Sequence, residues 1–489
     1  MNKSEMKGVN IMIKSKTIYL ILGLLIISLL SAAETRDLSK GINTISPENV
    51  YNYVKTMAAP KFAGRFTGHQ GYTAAAEWAA GLFEKWGLKP VEDGYLQPFP
   101  SPYTLINSAR MTLLLGEDET PLDLEPEKDF LPMLASDSGD RTAELVFAGW
   151  GIHAPGLGYD DYHGVDVNGK FVLCFRGTPD RSDDRFQKHD EHRRRMQTAK
   201  DMGAAGLIYV YPGPLANPNM DWIQGFMPAK ISEDIFDKIL EEKEITSNDL
   251  KRDLLTYKRP ISFPLNATIH FQVQSNHFPD AKGYNVVGYI DGSDPSLNQE
   301  CMVFGAHFDH CGEHMGLLFP GANDNASGSA VVMELARAFA SMDQPPRRPV
   351  VFVLFGAEEK GLQGSSYFAD HIPLPFTKVS GMFNFDMVGE GDGVGCSLSP
   401  DPPSLENMLK QADKDIGILG RTRHLRGLGV RGSDYAPFYQ NGIPVISFAS
   451  NGPHLAYHKS GDTIYRINPD IMADTARLAF IAGYSWANR

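Results

Sequence analysis

The sequence predicts an α/β protein, a mixed central sheet flanked by helices, with a mainly β segment inserted into it. Three observations predict this. From Tyr284 onward, short and continuously apolar runs recur at residues 286–290, 302–306, 350–355, 382–385 and 445–448, as in strands buried on both faces of a sheet. Between the second and third runs, residues 327–342 place Val331, Leu335, Ala338 and Phe339 at helical spacing, so one side of that helix packs on the sheet. From about 110 to 275 the texture changes to short β-type runs, such as 143–148 and 170–175, broken by Gly, Pro and Asp. One helix-like stretch, near 193–202, interrupts them.

The elements follow in order. Lys7, Lys14 and Lys16 precede an apolar run from Ile18 to Leu30, which Ser31-Ala32-Ala33 closes. That is the pattern of a signal peptide spanning 1–33, cleaved after Ala33, and it predicts a secreted or periplasmic protein. Uncleaved, the run falls short of the roughly 20 residues that span a bilayer, so no stable membrane span is expected after cleavage. Residues 34–110 contain a helix at 71–86, with Ala75, Trp78, Ala79, Leu82, Phe83 and Trp86 on one face and Gly87 as its stop. The insert occupies 111–277, and the regular α/β pattern occupies 278–489.

With 489 residues and 42% apolar composition, the chain can bury a large core and form more than one folded unit. A formal net charge of −13 argues against nucleic acid or an anionic membrane as partner, since both select basic surfaces. Four cysteines, Cys174, Cys301, Cys311 and Cys396, lack the C-x-x-C spacing of a structural zinc or redox site. Cys301 and Cys311 are candidates for a bridge in an oxidising compartment. The cluster His189, His192, Arg193, Arg194 and Arg195 reads as a solvated helix end or loop.

The chemistry concentrates at strand ends. His307 and Asp309 follow one apolar run, Glu358 and Glu359 another, Asp386 a third, and His458 lies beyond a fourth, while Asp324 precedes the helix. Ligands of open α/β sheets bind at the carboxyl ends of the strands, so these residues can converge on one pocket. Each taken alone is ordinary: a buried histidine, a helix cap, a solvated Glu-Glu turn. Together, at the ends of buried strands, carboxylates are costly unless paired or metal-bound. Imidazole and carboxylate without thiolate suit catalytic zinc. Three carboxylates and a hydroxide balance two divalent ions, whereas one ion would leave the pocket anionic. Of Glu358 and Glu359, one can bind metal while the other acts as base.

The strings His307-Phe308-Asp309-His310, residues 321–328 (GANDNASG), Gly356-Ala357-Glu358-Glu359-Lys360-Gly361, residues 384–389 (NFDMVG) and residues 457–463 (YHKSGDT) resemble, in order and spacing, the motifs of metallopeptidase family 28, the two-zinc aminopeptidases. The likeness covers 278–489, and Gly64-Arg65, Thr67-Gly68 and the helix at 71–86 resemble that family's N-terminal portion. It implies the zinc-dependent exopeptidase fold and hydrolysis of peptide or protein N-termini. It further implies two zinc ions: Asp324 bridges them, His307 and Asp386 complete one site, Glu359 and His458 complete the other, and Glu358 is the general base. Asp309 is expected to orient His307, and Asp462 to orient His458. The peptide bond between Asp324 and Asn325 is expected to be cis. His310, His314 and His454 are not counted among the ligands. At Tyr435 many relatives carry histidine, which leaves any pocket contact there open. The insert resembles a protease-associated domain through residues 143–149 (AELVFAG), Tyr159-Asp160-Asp161-Tyr162, Val167-Asn168-Gly169-Lys170 and Gly203-Ala204-Ala205-Gly206, and no catalytic group is expected from it.

Two enzymes on the same core are alternatives, a carboxypeptidase of the glutamate-releasing type and a glutaminyl cyclase. Carboxypeptidases of that type continue into a helical dimerisation domain, whereas 31 residues follow His458 here. A non-catalytic receptor-like scaffold would be marked by replaced ligands, and all five are present.

Overall fold

The computed structural model describes residues 38–489 apart from 117–119, 219–220, 400–402, 415, 420–424 and 428–431; the expected leader at 1–33 lies outside the described residues. The apolar runs form strands β1 (Lys282–Ile290), β2 (Glu300–His307), β3 (Val350–Phe355), β4 (Lys378–Phe385), β5 (Val394–Leu398) and β6 (Val445–Ser450), in the sheet order β1-β3-β2-β4-β6-β5. The central ladder β3-β2-β4-β6 is parallel, and β1 and β5 join it antiparallel. Short strands extend both edges. The sheet is therefore mixed, as the sequence predicts.

Alternation along the strands decides what each face meets. Phe304, Phe352 and Phe383 point into one apolar cluster with helices α1 (Gln70–Lys85), α2 (Gly328–Ala340) and α5 (Pro469–Ala487). Val303, Val351 and Met382 point into another with α3 (Gln363–Asp370) and α4 (Tyr435–Gln440). Tyr435, at the head of α4, is buried in that second cluster. Val331, Leu335, Ala338 and Phe339 all face the core from α2, as their spacing predicts. With all its central strands parallel and covered, the sheet opens only at its ends, and the carboxyl ends collect the polar residues.

A second sheet of eight strands, counted among the described residues, is built around two long strands, Tyr103–Leu115 and Ser262–Phe278. These pair antiparallel from Tyr103 opposite Phe278 to Leu115 opposite Ala267. The sequence boundaries at 111 and 277 thus fall within continuous strands. Beyond them lies a parallel set, Gly139–Ala148, Phe171–Phe175, Gly206–Tyr211 and Ala229–Ser232.

This unit is less purely β than its sequence texture suggests. Besides His192–Asp201 it contains helices Glu233–Leu240 and Ser247–Tyr257. Their start signals were present. Ser232 accepts from the amide of Ile235 at 3.3 Å, and Thr246 and Asp249 close a reciprocal capping box. Nor is the basic cluster simply solvated: Arg195 is fully buried and donates to the Gly177 carbonyl at 2.8 Å and Asp190 at 3.0 Å. The four cysteines are free and buried, so Cys301 and Cys311 form no bridge. No helix among the described residues is long and apolar enough to cross a membrane.

Candidate metal centre

β2 ends on His307, whose Nδ1 lies 3.2 Å from the Asp309 carbonyl. A carbonyl can only accept, so Nδ1 carries the proton and Nε2 keeps its lone pair. That Nε2 lies 3.4 Å from Asp386 Oδ1, just beyond β4, and 3.5 Å from Asp324 Oδ1. Asp309 therefore steadies His307 through its backbone. Its carboxylate, 3.7 Å from the ring, instead accepts from the Glu358 amide at 3.1 Å. Burial raises the Asp309 carboxyl to about 6, against the pull of His307.

Asp324 sits in an irregular turn, Ala322–Ser327, ahead of α2 rather than at its first residue. The Asp324–Asn325 peptide bond is cis, as the resemblance implies. Asn325 takes the capping role, its Oδ1 accepting from the amides of Gly328 at 2.9 Å and Met387 at 3.1 Å. Asp462 reaches back to this turn, and its two oxygens accept from the amides of Asn323 and Asp324, both at 2.9 Å. It orients Asp324 rather than the His458 ring.

β3 delivers Glu358 and Glu359 through a turn in which Ala357 has a φ of 56°. The Ala357 amide donates to Thr67 Oγ1 at 3.1 Å, which gives the Thr67-Gly68 signal a purpose. Beside it, the guanidinium of Arg65, fully buried, donates to the carbonyls of Phe308 (2.6 Å), Met57 (2.7 Å), Gly321 (2.7 Å) and Pro320 (2.8 Å). It ties the His307 loop to the Asp324 turn. Gly64, at φ 63°, leaves no room for a Cβ, which would stand 2.4 Å from the Gly312 carbonyl.

Glu359 Oε2 lies 3.0 Å from His458 Nε2, and Asp324 Oδ2 lies 3.2 Å from the same nitrogen. Burial disfavours a charged Glu359, but His458 and His310 outweigh it and hold the carboxyl well below its usual range. Glu358 is opposite in character. Removal from water, with Glu359, Asp434 and Asp386 nearby, raises its carboxyl well above the usual range despite His307. His458 Nδ1 donates to the carbonyl of Ala216 at 2.7 Å.

The structure thus brings His307, Asp324, Asp386, Glu359, His458 and Glu358 together. His310, set aside in the sequence, joins them with its Nδ1 3.0 Å from Glu359 Oε1. His454 turns away onto the Ser450 carbonyl, and His314 onto that of Cys311. Asp434, to which the sequence assigned no role, is a buried carboxyl near His307, pushed up to about 7 by burial. The donors form overlapping groups, each with ligand atoms within 4.8 Å of one another: His307 with Asp324 and Asp386, His307 with Glu358 and Glu359, and Glu359 with His458, His310 and Cys311. Asp324 Oδ2 and His458 Nε2 are buried close together, yet neither finds a hydrogen-bond partner. Orphaned polar atoms in a buried site call for another occupant, and imidazole nitrogens with carboxylate oxygens fit a divalent metal. A cleft of about 550 Å³, lined by Glu358, Glu359, Tyr457, His458 and Asn217, opens onto these groups.

Residues 285–482 match peptidase family M28. The aminopeptidase YwaD of Bacillus subtilis is 32% identical over 372 residues, covering 73% of this chain and 70% of that one. The chain belongs to peptidase family M28. Leupeptin-inactivating enzyme 1 of Streptomyces exfoliatus is 31% identical over 208 residues, 38% of this chain, a match that spans 45% of that enzyme's length. The solved structure of a zinc aminopeptidase from Bacillus subtilis superposes with a TM-score of 0.61 at 21% identity, covering 90% of this chain and 95% of that one. At that identity the likeness speaks for the M28 fold alone.

Proposed function

We propose that this M28 peptidase is a two-zinc aminopeptidase that removes N-terminal residues from peptides. The observation that carries the two-ion assignment is the aim of Asp324: one oxygen faces His307 and the other faces His458. Asp324 would bridge, His307 and Asp386 would hold one ion, and Glu359 and His458 the other. When bound, such a pair polarises the scissile carbonyl and makes water nucleophilic at neutral pH.

The remaining work belongs to side chains. Glu358 lines the cleft with Glu359 and His458, and its high proton affinity suits a base that takes a proton from the attacking water and passes it to the leaving amine. Asp309 fixes the Glu358 backbone, and Asp462 fixes that of Asp324. We further propose that the second unit, bounded near 111 and 277, is a protease-associated insert, and that the protein is exported after removal of residues 1–33.

The test is digestion of a peptide library, with free and blocked termini, with metal content measured on the same sample. Release of N-terminal residues from free peptides only, abolished by a chelator and restored by zinc, supports the assignment. Release from the carboxyl end, or cyclisation of N-terminal glutamine, would move the function to another enzyme of this core. Full activity in chelator would overturn it.

A further inference from the structure

The second unit reaches into the metal centre. Its residue Ala216 holds His458 at two points: the Ala216 carbonyl accepts from Nδ1 at 2.7 Å, and the Ala216 amide donates to the His458 carbonyl at 3.0 Å. His458 needs such support, since its φ of 54° lies in the left-handed region that a non-glycine residue occupies only when its surroundings impose it. Two residues on, the Ser460 amide and hydroxyl donate to the two carboxylate oxygens of Glu127, at 2.6 and 2.5 Å, and Glu127 also belongs to the second unit.

The holding segment is itself anchored. Lys230, buried on the strand Ala229–Ser232, donates to the carbonyl of Leu215 at 2.8 Å. A buried ammonium is costly, and it is placed one residue from the carbonyl that grips His458. The adjacent Asn217 lines the cleft with Glu358 and Tyr457.

We propose, on the basis of the two-ion assignment above, that the segment around Ala216, locked by Lys230 and aided by Glu127, is a positioning element of the metal centre that fixes the ring and tautomer of His458. The insert is then part of the active site. A ligating imidazole whose other nitrogen loses its partner binds metal less tightly, typically by 10–100-fold, and only the ion on His458 should feel the loss.

The experiment measures the affinity of each of two zinc ions by competition with a chelating dye, in wild type, Lys230→Met, Glu127→Ala and the control Thr246→Ala. Thr246 caps a helix elsewhere in the same unit. Cobalt-loaded samples provide a spectrum of the ligand field. The expected result is that Lys230→Met and Glu127→Ala weaken one ion by roughly tenfold or more and shift its cobalt band. The other ion should be unchanged, as should both ions in Thr246→Ala. Wild-type affinity for both ions in folded Glu127→Ala, whose side chain is only half-buried and whose loss the fold should tolerate, would overturn the proposal even if Lys230→Met failed to fold. A wild-type protein that held fewer than two ions would overturn the two-ion assignment and this proposal together, and that outcome is read before any variant is compared.

Discussion

Glu358 and Glu359 are neighbours with opposite proton affinities, because burial, with other carboxylates nearby, raises Glu358, while for Glu359 the imidazoles of His458 and His310 outweigh burial. Glu358→Gln keeps the shape but cannot shuttle a proton, so both ions should remain bound while kcat falls by about 10²–10⁴-fold. Metal analysis alongside kinetics checks this. Glu359→Gln should instead release or weaken one ion, seen as a drop in zinc per chain. If the two phenotypes were exchanged, the roles would be exchanged as well. That His307, Glu358, Glu359 and Asp386 meet was legible because each lies at or just past a strand end, where sequence position predicts spatial convergence, and Asp324 and His458 come to the same place from the turn before α2 and the loop beyond β6. The partner of His458 was not legible, since Ala216 acts through a backbone carbonyl and any residue type supplies one. Asp462 was placed correctly near the centre but given the wrong neighbour: spacing shows proximity, and the direction of a carboxylate depends on the turn it meets.

At the scale of elements, the strands of the main sheet could be read because buried parallel strands are continuously apolar, and α2 because its face repeats with helical period. The two extra helices in the second unit were missed although both carry caps, since short helices between strands leave too few turns to establish a period. The loops at the carboxyl ends depend on one buried cation. Arg65 satisfies four carbonyls from three segments, and each would be left unpaired in Arg65→Met, at about 1–3 kcal/mol apiece. Arg65→Met should therefore lose about 4 kcal/mol or more in denaturant unfolding, and it should bind zinc more weakly, because the His307 loop and the Asp324 turn lose their common tie. Lysine should rescue little, lacking the planar fork that meets several acceptors at once.

For the molecule as a whole, Lys230 links stability to pH. Burial lowers its ammonium from the ordinary 10.5 to about 7. Between those values the unfolded chain binds the proton that the folded chain has given up, so stability rises with pH from about 7 to about 10.5 and is lost as pH falls through that range. Urea unfolding at pH 7 and pH 9 should show wild type gaining stability relative to Lys230→Met at the higher pH; equal increments would mean that the ammonium is better solvated than its burial indicates. The second sheet was visible as a change of texture, but the continuity of the long strands across the boundary was not, because pairing partners as far apart as Tyr103 and Phe278 leave no local trace. The same long-range assembly has a consequence for the order in which the chain is made. The centre draws on Arg65, Ala216, His307, Asp324, Glu359, Asp386 and His458, so a nascent chain emerging from its N-terminal side exposes no complete metal site until His458 has cleared the ribosome, and domains generally fold as units in that order. On the proposed assignment, activity arrives only with the loop that carries His458, and a chain stopped short of it would be inert however much of its sheet had formed.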